Sequence, residues 1–160
     1  MRLQIISTLF FLFFAVPAFS MPTTLGFDKT AFYEAMESEK ISDIEAQLII
    51  IKNSTIAEKN AYEGALLMKK SGMVNKAKDK LHFFKIGRVK LEAAIEADKD
   101  NTEYRFIRLI LQEHAPKIVK YRNEINEDSK LIKSNFKQLP SFLQKTIAAY
   151  CKSSKVLKID

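Results

Sequence analysis

Apolar residues along this chain recur at spacings of three and four, and the strict alternation that a half-buried strand requires is missing. Only four glycines and four prolines are available for tight turns. The pattern predicts an all-α chain, a single bundle of about six or seven helices. Asp28 or Thr30 can open a first helix carrying Ala31, Phe32, Ala35 and Met36. Ser42-Asp43-Ile44-Glu45 has the form of a capping box, and predicts the start of a second helix through Leu48, Ile49 and Ile51. Thr55-Ile56-Ala57-Glu58 repeats that form before a third helix through Ala61, Tyr62, Ala65, Leu66 and Met68 to Ser71, where Gly72 reads as a left-handed stop.

A long fourth helix is expected from about Asn75 to Ala97, roughly 35 Å at about 1.5 Å per residue. Asp98-Lys99-Asp100-Asn101 breaks it, and Asn101 or Thr102 caps a fifth helix that ends at His114 before Pro116. A sixth is predicted over about 117–136, and a seventh from Pro140 or Ser141 to Lys152, with a loose tail from Ser153. Phe106, Ile107, Ile110, Ile118, Tyr121, Ile125, Ile132, Phe142, Ile147 and Tyr150 are the expected core of the last three. No Pro-, Gly- or Ser-rich linker divides the chain, so residues 21–160 read as one domain with its core over about 28–152.

On the long helix, Ala77, Leu81, Phe84, Leu91 and Ile95 share a stripe about 80° wide at about 100° per residue, with Arg88 in its middle. A buried unpaired guanidinium costs several kcal/mol. Arg88 is therefore expected either to pair with a carboxylate such as Glu63 or Glu113, to reach past the core edge, or to line a groove that takes an anionic group of a partner. The charges on this helix run against its dipole. Lys76, Lys78, Lys80 and Lys85 stand in the first half, and Glu92, Glu96 and Asp98 at the end. An acidic neighbour such as Glu34, Glu37 and Glu39 would account for that order, and so would an acidic ligand. Gly64 and Gly87 interrupt predicted helices at a cost of about 1 kcal/mol each, which points to close approach by another helix. With the turn placed at Gly72 they lie out of register with one another, so each is expected to admit a different neighbour.

The first residues change the picture of where the chain works. A single charge, Arg2, is followed by an apolar stretch from Leu9 to Phe14, then Pro17 and Ala18-Phe19-Ser20. This is the layout of a removable secretory signal over 1–20, cut before Met21 or, as the rival position, after Ala18. The uninterrupted core is shorter than the about 20 residues that a membrane anchor needs, and no cysteine follows it to carry a lipid. The mature chain then has 160 − 20 = 140 residues and a net charge of 25 − 19 = +6. That balance favours acidic partners. Cys151 is the only cysteine, so no internal disulfide forms. It reads as a small apolar residue of the last helix, or as a link between two copies.

Candidate chemistry is sparse. His82 and His114 are the only histidines and neither has zinc-site spacing. No GxSxG, P-loop or Cys–His arrangement occurs. No metal or cofactor is expected. Lys80-Leu81-His82-Phe83-Phe84-Lys85 mixes bases and aromatics, but a helix sends those rings to different sides, which argues against nucleic-acid binding. Glu124, Glu127 and Asp128 read as a solvated acidic face, and Asn53-Ser54-Thr55 is formally a glycosylation sequon.

Gly87-x3-Leu91-x2-Ala94-Ile95, followed by Asp98-Lys99-Asp100-Asn101 and a new helix, resembles the end of one tetratricopeptide repeat running into the next. Lys99 replaces the usual proline, the hairpin would need about eleven extra residues, and no second full repeat follows. The likeness covers about residues 57–114. It implies stacked helical hairpins and a protein-binding role without enzymatic activity. The sequence thus points to an exported, monomeric or weakly dimeric binding module whose partner is another protein. The candidate contacts are Arg88, Tyr104, Arg105 and Arg108. The alternatives are a cell-envelope factor that holds anionic lipid or wall polymer through its basic surface, and an enzyme with an unrecognised site.

Overall fold

The computed structural model describes residues 26–159, so the expected signal segment lies outside the described residues. The chain is all-α. Its helices are α1 (Lys29–Glu37), α2 (Ile41–Asn53), α3 (Lys59–Met73), α4 (Ala77–Ala97), α5 (Thr102–His114), α6 (Ile125–Asn135) and α7 (Ser141–Cys151). Phe32, Ile44, Ile51, Tyr62, Leu66, Leu91, Phe106, Ile107, Leu109, Ile132, Ile147 and Leu157 are fully buried and make one continuous core.

Helix α7 starts at Ser141 as expected, and two of the expected caps hold. The Asp28 carboxylate accepts from the Ala31 N–H at 3.0 Å, and the Asn101 side chain accepts from the Tyr104 N–H at 3.1 Å. Each satisfies one of the donors a helix leaves free at its N-terminus. Neither expected capping box forms. Ser42 lies inside the first turn of α2, and the Ser38 hydroxyl just ahead of it binds both Asp43 (2.6 Å) and the Lys40 N–H (3.0 Å). Thr55 to Glu58 form the turn before α3, which starts without a side-chain cap.

Gly72 does not stop α3, which runs on to Met73. That shift decides how the longest hairpin packs. With the turn centred near Asn75, Gly64 lies 75 − 64 = 11 residues before it and Gly87 lies 87 − 75 = 12 after it. The two glycines therefore face each other, contrary to the sequence expectation. A Cβ on Gly64 would lie 2.7 Å from the Gly87 carbonyl and 2.7 Å from the Leu91 N. A Cβ on Gly87 would lie 2.5 Å from the Gly64 carbonyl and 2.8 Å from the Met68 N. The helix backbones touch here, and α3 with α4 forms the most extensive helix–helix contact in the fold.

The single sixth helix expected over 117–136 is instead three pieces. After Pro116 a short 3-10 turn covers Lys117–Val119, Lys120 takes a left-handed backbone (φ 48°), and α6 begins only at Ile125. This loop lets Tyr121, 1% exposed, drop against α4, while Ile118, expected in the core, is 87% exposed. The tail is not loose either. Leu157 is fully buried, and its N–H and that of Val156 bond the Ser154 hydroxyl. The tail from Ser153 folds back beside α6 and α7.

Candidate functional site

Three buried or half-buried polar networks fix the late helices, and they absorb two of the four candidate contact residues, Arg105 and Arg108. In the first, the Arg108 guanidinium grips Asp128 with two parallel bonds, Nε to Oδ2 and Nη2 to Oδ1, each 2.7 Å. Its Nη1 donates to Glu92 at 2.9 Å. Arg105 Nη1 donates to the same Asp128 (3.0 Å) and to Glu127 (3.1 Å), and its Nε to the Lys99 carbonyl (2.9 Å). Asp128 is fully buried. Burial pulls the Arg108 guanidinium down, and Asp128 with Glu92 more than reverses this, leaving it raised and charged. The Tyr121 hydroxyl donates to Glu92. Burial, reinforced by Glu92, pushes that hydroxyl up.

The second network centres on Glu103, which accepts from Lys29 (2.7 Å), Tyr62 (3.0 Å) and Tyr33 (3.3 Å), so it binds α5 to α1 and α3. The third centres on Glu113. Its carboxylate accepts from the Ser154 hydroxyl (2.6 Å), the Tyr150 hydroxyl (2.8 Å) and the Lys155 N–H (2.5 Å). Burial raises the Glu113 carboxyl, but these hydrogen bonds outweigh it and hold the group below the ordinary glutamate value.

The four candidate contact residues therefore sit in different settings. Arg105 and Arg108 are buried in the Asp128 network, and Tyr104 is 8% exposed. Arg88 is exposed, pairs with neither Glu63 nor Glu113, and stacks its guanidinium 4.8 Å above the Tyr121 ring. Glu63 is taken by Lys90 at 3.1 Å. The α4 stripe is buried only at Gly87, Leu91 and Ile95, with Phe84 half-buried and Leu81 51% exposed. Lys76, Lys78, Lys80 and Lys85 are exposed and, among the described residues, have no ion-pair partner; Glu34, Glu37 and Glu39 do not reach them.

Several clefts open among the described residues. One of about 710 Å³ lies where α1, α5 and α7 begin, with Asp28, Glu58 and Glu103 among its walls. Asp28 there is the α1 cap and Glu103 holds Lys29 and two tyrosines, so neither is free to handle a proton. A second, about 520 Å³, lies between α1, α5 and α7, with an apolar floor of Met36, Phe106 and Leu111 beneath Lys69 and His114. His114 Nδ1 is 2.8 Å from the Ile110 carbonyl, the ordinary tie of a histidine at a helix end. Among the described residues no group of three His, Cys, Asp or Glu is placed to hold a metal ion, and no helix is long and apolar enough to cross a membrane.

The third cleft, about 380 Å³, carries a different chemistry. Lys133, Lys137 and Lys158 line it, with Ser134, Phe136 and Ile159 between them. At about 100° per residue Lys130, Lys133 and Lys137 fall within about 60° of one another, so α6 and the turn after it carry a single row of lysines. Lys145 and Lys152 form a similar row on α7. From Ser129 to Ile159 there are seven lysines and no acid. All seven are exposed, and among the described residues none is in an ion pair. Residues 26–63 run the other way, with eight acids against four lysines. Periodicity draws attention to α4 and passes over this asymmetry; counting charge by segment finds it directly. No family model, curated protein or solved structure matches this chain.

Proposed function

We propose that this chain is an exported helical binding module that holds an anionic partner of the cell envelope on the basic face built by α6, α7 and the C-terminal tail. One observation carries the reading. Seven exposed lysines occupy Ser129–Ile159 with no acid among them, on a chain whose other lysines include several tied to Glu45, Glu63, Glu96 and Glu103. Like charges gathered in one segment repel one another, and an anionic partner relieves that repulsion. The role is binding, without catalysis.

Inorganic polyphosphate serves as the test anion, with affinity followed against salt. Lys130→Gln with Lys133→Gln and Lys137→Gln removes the α6 row, and is expected to lower both the affinity and the steepness of its fall with salt. The matched control removes equal charge from α4 through Lys76→Gln, Lys78→Gln and Lys85→Gln. If the α4 set abolishes binding and the α6 set leaves it intact, the basic-face reading is wrong.

A second reading, a protein partner along α4, has its own observation. Val89 is 69% exposed and Ile86 38% exposed, and both share the helix with the exposed Arg88. The tetratricopeptide-like spacing over about 57–114 favours the same role. Val89→Ser, which leaves the stack of Arg88 on Tyr121 in place, would weaken capture of such a partner without lowering thermal stability; unchanged capture would dismiss this surface.

A further inference from the structure

We infer that the groove between α6 and the C-terminal tail seats the phosphate of an anionic phospholipid, so that the basic face docks on a bilayer surface. This rests on the basic-face reading and names its ligand. Three features of the groove set it apart from a merely positive surface. The lysines come from two separate segments, Lys133 and Lys137 from the end of α6 and its following turn, and Lys158 from the folded-back tail. Lys158 is held in place, since its Nζ donates to the Cys151 carbonyl at 2.9 Å, leaving its other N–H groups for a ligand. Phe136 and Ile159, both half-buried against the core, line the same groove.

A compact ammonium is a point charge suited to phosphate oxygens. A free polyanion needs only those charges and gains nothing from the two apolar side chains. A phospholipid presents both chemistries together, a charged headgroup above the apolar start of its acyl chains. Ser134 of α6 adds a hydroxyl to the lining beside the lysines. Among the described residues no carboxylate lines the groove. No described helix is fit to span a membrane, so docking would be peripheral.

The test is co-sedimentation of the mature chain with phosphatidylcholine vesicles, with and without phosphatidylglycerol, alongside binding to inorganic polyphosphate. Lys133→Gln with Lys158→Gln removes two groove charges; Lys145→Gln with Lys152→Gln removes two from α7. The groove pair is expected to lose roughly tenfold more partitioning onto anionic vesicles than the α7 pair, within the range that individual interfacial lysines contribute. Ile159→Asn should lower vesicle binding and leave polyphosphate binding unchanged. Equal losses from the two pairs overturn the groove and leave the basic face standing. Binding to polyphosphate with none to phosphatidylglycerol vesicles overturns the lipid and also leaves the basic face. Salt-sensitive binding to neither overturns both.

Discussion

Replacing Gly64 with alanine tests the packing on which the hairpin depends. Its new Cβ would meet the Gly87 carbonyl and the Leu91 N, each at 2.7 Å. Both are backbone atoms of α4, so no side chain can swing aside. Restoring ordinary contact near 3.4 Å means moving α4 off α3 by about 0.7 Å along the tightest part of the crossing, and a gap of that size forfeits about a quarter to a half of each dispersion contact there. Leu66, Met68, Leu91 and Ile95 are all buried in this part of the fold. Overpacking of this kind costs typically about 1–3 kcal/mol and at times more, while alanine's better helix propensity returns about 1 kcal/mol. A net loss of up to about 2 kcal/mol is expected, or up to roughly 8 °C in Tm for a chain of this size. Gly72 supplies the control. It lies in the same helix with nothing within 4 Å of its ideal Cβ, so Gly72→Ala should stabilise by up to about 1 kcal/mol. Both substitutions would be read by thermal and urea unfolding followed by circular dichroism. If Gly64→Ala stabilises as Gly72→Ala does, the helices are not in backbone contact and the reasoning fails.

Asp128→Asn should cost about 3–5 kcal/mol, because it leaves Arg105 and Arg108 buried with a broken partner; unfolding curves matching those of the wild type would show the network to be incidental. Asn101→Ala should cost about 1 kcal/mol through loss of the α5 cap, read the same way. For the tail, the folded Glu113 carboxyl is below its ordinary value of 4.5, so the stability it lends is present above that value and is lost as pH falls through the depressed one. The protection factor of the Leu157 amide, its exchange rate relative to that of a free amide at the same pH, should stay high near neutral pH and fall only in acid below the ordinary glutamate range, whereas Glu113→Gln should lower it at neutral pH. An identical acid response in both proteins would remove Glu113 from the account.

Much of this fold is legible from spacing alone, since a 3.6-residue repeat places Phe32 with Met36, Tyr62 with Leu66, and Leu91 with Ile95 on core-facing stripes. The failures share a cause. Capping boxes, glycine stops and stripes are local patterns, and tertiary contact chooses among the local options. Gly72 is tolerated inside α3 because it is exposed with open space around it. Moving the turn a few residues along then brings Gly64 onto Gly87. Nothing local in 117–124 announces a left-handed Lys120; that loop exists because it delivers Tyr121 to Phe84, Arg88 and Glu92. Arg105 and Arg108 look like surface charge until Asp128 arrives from α6, 20 residues beyond Arg108, to bury them. The lysine rows need no tertiary information, only a count by segment, and they carry the proposed site.

The most direct test follows amide chemical shifts of the isotope-labelled chain as phosphatidylglycerol nanodiscs or polyphosphate are added. Perturbations concentrated on α6, α7 and the tail, above all at Lys133, Lys137 and Lys158, are the predicted result. Shifts confined to α4, with residues 129–159 unmoved, would contradict it.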